Sequence, residues 1–253
     1  MVKRILSTSI TILIFSMAIV MILPVFLTVF FSFENGFSAY MDFYIWKPTY
    51  LKALLNSVMI SMSVSVGTIV VSVMAAYVFA KVKFRGSNLL LYLYVIVMLM
   101  PFQVTLLPQY LVSKGLSLYD THGALILPGI FAPFAVFLLT QVMKSIPNEQ
   151  IEAVRLDTDS TGRLLISVLL PQIRPSIICT WVLVFTEHWN SVAEPLILLE
   201  TREKYPLAVM LNEGNTGEGF ILAATVIFMV LPLLLFTYFE NEIMEGLEEY
   251  RLK

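Results

Sequence analysis

Six long apolar stretches, separated by short clusters of charged residues, constrain this chain more than any other feature of its sequence. A helix needs about 20 consecutive apolar residues to cross a bilayer, and each stretch is long enough. Lipid-exposed backbone must satisfy its own hydrogen bonds and the stretches do not alternate with period two, so we predict helices rather than strands. The predicted spans are residues 10–33, 54–80, 88–112, 122–143, 175–199 and 219–239.

The composition supports the same class of protein. Apolar residues make up 58% of the 253 residues and charged residues 13%, about half the charged share of a soluble domain. The net charge of −2 offers no basic surface for nucleic acid. We therefore predict an all-α polytopic membrane protein of six transmembrane helices, surrounded by membrane lipid, in which residues 1–253 form one domain.

The basic residues are distributed unevenly between the two sides of the predicted membrane. With the loops assigned alternately to the two sides, eleven of the sixteen lysines and arginines fall on one side. Because basic residues concentrate in cytoplasmic loops, that side is predicted to be cytoplasmic, with both termini inside. The eleven are Lys3, Arg4, Lys81, Lys83, Arg85, Lys144, Arg155, Arg163, Arg174, Arg251 and Lys253.

The longest predicted cytoplasmic segment before the C-terminal tail, residues 144–174, contains a short helix of its own. Pro147 and Asn148 form a helix start signal. Apolar and charged residues follow in a pattern that predicts one apolar and one charged face, and such a helix suits docking into a groove of a partner protein. The expected apolar positions are Ile151, Val154 and Leu156.

This segment resembles the cytoplasmic EAA loop of permease subunits from binding-protein-dependent ABC importers. The family pattern is Glu-Ala-Ala, three residues, Gly, nine residues, Ile, one residue and Leu-Pro. Residues 152–154 fill its first part, Thr158 stands at the Gly position, Val168 replaces Ile, and Leu170 with Pro171 closes it. Because the spacing is kept, residues 147–171 are expected to be the coupling segment between spans four and five.

The resemblance extends over most of the chain from about Asn56 onward, whereas the first 53 residues resemble the family only in layout. It points to the carbohydrate-uptake branch and is similar to the second permease subunit of maltose and multiple-sugar importers. The matching blocks are residues 75–86, 100–128, 145–157, 189–199 and 243–247.

The resemblance implies a non-enzymatic subunit of a bacterial plasma-membrane importer for sugars or oligosaccharides. A second homologous permease would form the pathway with this chain, two ATPase subunits would dock from the cytoplasm, and an extracytoplasmic sugar-binding protein would deliver substrate. No cofactor is expected in this chain, which has no G-x-x-x-x-G-K-[ST] motif, so ATP and Mg²⁺ would bind to the ATPase subunits. The expected ATPase-coupling residues are Glu152, Ala153, Arg155, Asp157, Thr158 and Pro171. Of these, Glu152, Arg155 and Asp157 are the expected ATPase contacts or local braces.

Only two charged residues, Glu187 and Glu194, lie within the predicted spans. They are seven residues apart, so on one continuous helix they share a face with Asn190 between them. Charged side chains in a bilayer usually face a cavity or the bundle interior, and we expect Glu187, Asn190 and Glu194 to line the translocation pathway. The Trp189 ring is expected to stack on a sugar face. A structural role, such as pairing with the partner permease, is the alternative for these residues.

A stand-alone secondary transporter or channel for a small polar solute is the alternative function. It needs charged residues on several spans to form a coupling-ion site, whereas only the fifth predicted span carries any. An intramembrane enzyme needs a clustered catalytic set, and none is evident in the sequence. No metal site is expected, because His122 and His188 lie on different spans without a Cys or carboxylate at ligand spacing.

Overall fold

The computed structural model describes residues 2–34, 36–157, 160–214 and 217–251, and every regular element in those ranges is helical. This confirms the predicted all-α fold class. Short π-helical turns cover Asp42–Trp46 and Leu165–Leu169, and a 3₁₀ turn covers Arg202–Lys204. The α-helices are α1 (Val2–Ser32), α2 (Ser38–Met41), α3 (Pro48–Lys81), α4 (Ser87–Met98), α5 (Phe102–Gly115), α6 (Gly123–Gly129), α7 (Pro133–Ser145), α8 (Asn148–Asp157), α9 (Thr161–Leu164), α10 (Leu170–Gln172), α11 (Arg174–Trp189), α12 (Ala193–Leu198), α13 (Leu207–Glu213), α14 (Glu218–Tyr238) and α15 (Glu240–Arg251).

Within the described residues, four helical segments are long and apolar enough to cross a membrane. Two bent helix pairs raise the number to six if each pair is one span, so the predicted six is the upper count. The four segments coincide closely with the first, second, fourth and sixth predicted spans. They are Leu13–Ser32, Pro48–Lys81, Gly123–Ser145 and Glu218–Tyr238.

The third predicted span, residues 88–112, is divided rather than straight. Helices α4 and α5 meet at a bend of 100°. Pro101 at the bend has φ −59° and ψ 133°, and proline also disfavours a helical conformation in the residue before it. The helical path therefore turns at Pro101, and α5 begins in a new direction.

The second bent pair joins the segment Thr161–Gln172 to α11 at an angle of 81°, so it begins before the fifth predicted span, residues 175–199. That predicted span is also interrupted within its own length. Helix α11 ends at Trp189, and α12 begins only at Ala193. Pro195 has no N–H to donate to the Ser191 carbonyl, and its ring would clash with that carbonyl in a continuous helix. The prediction that Glu187 and Glu194 share one face of a single helix is therefore wrong.

Helix α3 lies at the centre of the bundle, packed against α7 and α11. Its buried side carries a row of small hydroxyl residues at spacings of three and four, which places them on one face. Small side chains there let neighbouring helices approach closely. The row consists of Ser57, Ser61, Ser65, Thr68 and Ser72.

The C-terminal helix α15 lies directly against α11. A Cβ atom added to Gly246 would lie 2.8 Å from the Cβ of Cys179 and 2.9 Å from the carbonyl oxygen of Pro175. Arg174 and Glu242 form an ion pair of 4.0 Å between the same two helices. The close approach of α15 therefore depends on glycine at position 246.

Candidate functional site

Helix α8 is held at the end of α3 that carries Lys81. The Nζ of Lys81 donates to the carbonyl oxygen of Ile146 at 2.6 Å and to Oδ1 of Asn148 at 3.2 Å. Ile151 is buried in a cluster with residues of α3, α7 and α9, and Arg155 donates from Nη2 to the Tyr77 hydroxyl at 3.4 Å. The helix therefore has a fixed inner face and a fixed starting point on the bundle.

The opposite face of α8 is open. Glu152, Ala153 and Leu156 are exposed, and the Leu156 side chain is 90% accessible. Ile151 and Leu156 are five residues apart, which is about 140° around a helix of 3.6 residues per turn. The expectation that Leu156 shares the apolar face of Ile151 is therefore wrong, and Leu156 instead projects from the outer face.

The remainder of the predicted coupling segment returns to the bundle. Ser160 Oγ accepts a hydrogen bond from the Arg163 amide at 3.3 Å, which begins a run of short helical turns that ends in α10. Pro171 is exposed within α10. Thr158 and the side chain of Asp157, both expected to contribute to coupling, lie outside the described residues.

The polar residues of the fifth predicted span lie around the break between α11 and α12. Glu187 and Asn190 are exposed on this chain, and Glu194 is half-buried. The Nδ2 of Asn190 donates to the Thr186 carbonyl oxygen at 2.9 Å, so the Asn190 side chain is bonded to the last turn of α11.

Trp189 has a different position from its polar neighbours. Its ring is fully buried and stacks on Phe185 and on Phe228, at centroid distances of 5.4 and 4.9 Å. Its Nε1 donates to the Phe228 carbonyl oxygen at 3.2 Å. Both the ring and its donor are occupied within the chain, so the structure corrects the expected sugar-stacking role of Trp189 to a packing role.

A polar cluster that the sequence did not predict lies at the opposite end of α3, near Pro48. Asp120 accepts hydrogen bonds from the backbone amides of Glu200 and Thr201, both at 2.9 Å, and from the Thr201 hydroxyl at 2.6 Å. Its Oδ2 also forms an ion pair of 2.7 Å with Lys204. This Asp120 cluster, consisting of Asp120, Thr201 and Lys204, ties residues 116–122 to residues 199–206.

Charge-assisted hydrogen bonds stabilise the ionised form of Asp120. The bond from Lys204, followed by those from the Thr201 hydroxyl and amide, holds the pKa of Asp120 well below its usual range. Asp120 has φ 56°, a left-handed conformation that aspartate and asparagine tolerate better than most residues. The left-handed backbone conformation and the neighbouring positive charge therefore both favour aspartate at position 120.

Helix α3 is attached to the same loop. The Nδ2 of Asn56 donates to the carbonyl oxygens of Glu203 and Tyr205 at 3.0 and 3.1 Å, and Ser57 Oγ accepts from the Leu207 amide at 2.8 Å. Asn56 is only 7% exposed. The loop before α13 is thus fixed both to α3 and to the Asp120 cluster.

The two histidines make structural contacts. His122 Nε2 lies 2.9 Å from the Lys204 carbonyl oxygen, and His188 packs beside Gly129. Among the described residues, no group of three or more His, Cys, Asp or Glu side chains is placed to hold a metal ion.

These features define a polytopic helical membrane protein that presents a separate amphipathic helix at one end of its bundle and firmly tied loops at the other. Residues 68–245 match the family described as "Binding-protein-dependent transport system inner membrane component". The chain belongs to this family. It is a multi-pass membrane permease subunit of an ABC importer, and the family is one of transport components.

Individual relatives support the assignment. The chain is 31% identical to the arabinooligosaccharides transport system permease protein AraQ of Halalkalibacterium halodurans, over 76% of this chain and 70% of that protein. It is 35% identical to a putative ABC transporter permease protein of Caldicellulosiruptor sp., over 79% and 74%. It is 26% identical to the sn-glycerol-3-phosphate transport system permease protein UgpE of Brucella melitensis, over 78% and 72%.

A solved structure supports the fold. A chain from the crystal structure of a bacterial ABC transporter involved in the import of the acidic polysaccharide alginate superimposes with a TM-score of 0.80. The superposition covers 93% of this chain and 95% of that chain at 20% identity. The predicted resemblance to ABC importer permeases is therefore confirmed in both sequence and fold.

Proposed function

We propose that this chain is one of two permease subunits in an importer of sugars or oligosaccharides, and that α8 couples it to a cytoplasmic ATPase. The observation that carries the coupling role is the two-sided character of α8. Ile151 fixes the inner face in the bundle, whereas Glu152, Ala153 and Leu156 are exposed, and Leu156 projects from the outer face. A helix that is rigidly held and exposes a large apolar side chain is suited to a groove on a partner.

The orientation of the chain in the membrane follows from the same proposal. The loop at residues 82–86 and α8 lie at one end of α3, whereas the Asp120 cluster lies at the other. With the basic end in the cytoplasm, α8 meets the ATPase, and the Asp120 cluster faces the extracytoplasmic binding protein. ATP and Mg²⁺ are then bound by the two ATPase subunits, and this chain contributes neither a nucleotide site nor a cofactor.

The substrate class rests on the relatives and on the polar residues at the α11–α12 break. Of the relatives described above, one is named for arabinooligosaccharides and one for sn-glycerol-3-phosphate, and both solutes are rich in hydroxyl groups. Glu187 and Asn190 are exposed and Glu194 is half-buried beside them. Carboxylate and amide groups at this position would hydrogen-bond substrate hydroxyls in a pathway formed with the second permease.

A charge reversal on α8 tests the coupling role. Glu152→Lys is expected to reduce sugar uptake and transport-coupled ATPase activity, while the protein inserts and pairs with the second permease as before. Glu34→Lys, an exposed reversal just after α1, serves as the matched control. Normal uptake by Glu152→Lys would rule out α8 as the coupling element.

The pathway role is tested separately by Glu187→Gln and Asn190→Ala in the assembled importer. Each is expected to raise the sugar concentration needed for half-maximal uptake, because a hydrogen-bonding partner of the solute is lost. If both variants transport like the wild type, these residues have a structural role instead.

A further inference from the structure

A cavity of about 880 Å³ opens between α8 and the turn that joins α3 to α4. Among the described residues, four cationic side chains line it, from Lys81, Lys83, Arg85 and Arg155, and the only carboxylate is that of Glu152. Lys81 and Arg155 are engaged with Asn148 and Tyr77. No carboxylate of a described residue lies within ion-pairing distance of Lys83 or Arg85, and both are exposed.

The other wall of the cavity is apolar. Phe79, Phe84 and Leu89 line it, and Leu89 is 65% exposed. Phe79 contacts Phe84 and Tyr94 with its ring, at centroid distances of 6.2 and 5.7 Å, so this wall is continuous with the side of α4. A soluble anion would contact the cations but would gain no binding free energy from this apolar wall.

The position of the cavity at the membrane indicates which kind of anion it would bind. The turn at residues 82–86 connects a membrane-length helix to the first half of a bent candidate span, so it lies where a bilayer surface meets the bundle. The amino end of α4 also faces the cavity, and its cap residue Gly86 provides no side-chain hydrogen bond. The positive end of the α4 helix dipole adds to the attraction for negative charge that the basic side chains supply.

We propose that this cavity binds the head group of an anionic phospholipid, with the phosphate at Lys83 and Arg85 and the acyl chains along Phe79 and Leu89. Basic pockets beside membrane helices are suited to such head groups. The proposal uses the orientation given under Proposed function, because it places the cavity in the cytoplasmic leaflet. The lipid would occupy the space beside α8 and would help to hold α8 in its position.

Native mass spectrometry of the full chain, released from nanodiscs of defined composition, tests the proposal. The wild type is expected to retain dioleoyl-phosphatidylglycerol in preference to dioleoyl-phosphatidylcholine. Neutralising both cations in the double variant Lys83→Gln/Arg85→Gln is expected to weaken phosphatidylglycerol binding about 30-fold, since each surface cation contributes about fivefold. The control Lys144→Gln/Arg163→Gln removes two cations outside the cavity and is expected to bind as the wild type does.

A second measurement on the unaltered protein uses lysine-reactive labelling of Lys83. Phosphatidylglycerol is expected to protect Lys83, and 10-fold more inorganic phosphate is expected not to. Equal retention of the two lipids, or unchanged binding by the double variant, would overturn the proposal. Equal protection by phosphate would assign the site to a soluble phosphate, and protection only by the ATPase subunit would assign it to protein. Because lipid binding is read without transport, its failure leaves the coupling role of α8 to its own test.

Discussion

Leu156 offers the sharpest test of the coupling interface. Its side chain is 90% exposed on this chain, so almost all of its apolar surface is available for burial when a partner docks. Leu156→Ala removes three carbon atoms, and at about 0.8 kcal/mol for each buried group the loss is about 2.4 kcal/mol of docking free energy. This corresponds to roughly 50-fold weaker binding of the ATPase.

The assay is the affinity of the purified permease pair for the ATPase subunit, with coupled ATPase activity in proteoliposomes as the functional readout. Because Leu156 contacts little within its own chain, the variant is expected to keep its melting temperature, as exposed substitutions change stability by about 0.5 kcal/mol or less. Leu116→Ala is the matched control, since Leu116 is 64% exposed at the other end of the bundle. An ATPase affinity within threefold of the wild type, or an equal loss in the control, would refute the docking of the outer face of α8.

Three further predictions concern the contacts that hold the ends of the bundle. Gly246→Ala is expected to cost about 1–3 kcal/mol through overpacking against α11, and thus to lower the Tm by about 2–10 °C; Gly115→Ala, which meets nothing within 4 Å, is expected to leave the Tm unchanged. Asp120→Asn is expected to cost about 1 kcal/mol at neutral pH by weakening the contact with Lys204. Because the folded pKa of Asp120 lies below its usual value, this deficit is constant above about pH 5 and shrinks as the pH falls below about 4; a deficit that grows on acidification in a thermal-shift series would contradict the charge argument. Asn56→Asp places a carboxylate against two carbonyl oxygens and is expected to lower the Tm more than Asn56→Ala does. A Tm of Asn56→Ala equal to that of the wild type would show that the two hydrogen bonds contribute little to stability.

The spans and the short helix α8 could be predicted from local sequence, because apolar length and a Pro147–Asn148 start signal act within a few residues. The breaks at Pro101 and Pro195 had a local signal too, since each proline removes a helical hydrogen bond. The exposure of Leu156 follows from its angular distance to Ile151, once Ile151 is known to face the bundle.

Other parts of the candidate site had no local signal. The Trp189 ring is covered by Phe228, which belongs to a different helix. Asp120 meets Thr201 and Lys204 from more than 80 positions away in the chain. Such contacts depend on how distant helices cross, which residue type and periodicity do not determine.

The length of α3 has a mechanical consequence. Its 34 residues extend about 51 Å at 1.5 Å per residue, whereas the hydrocarbon layer is about 30 Å thick. Asn56 and Lys81, which tie α3 to the loop before α13 and to α8, are thus separated by about 38 Å along one uninterrupted helix. The two attachment points of this helix therefore lie on opposite faces of the membrane. We therefore expect a displacement of α8 to shift the loop before α13 as well, and a displacement of that loop to shift α8.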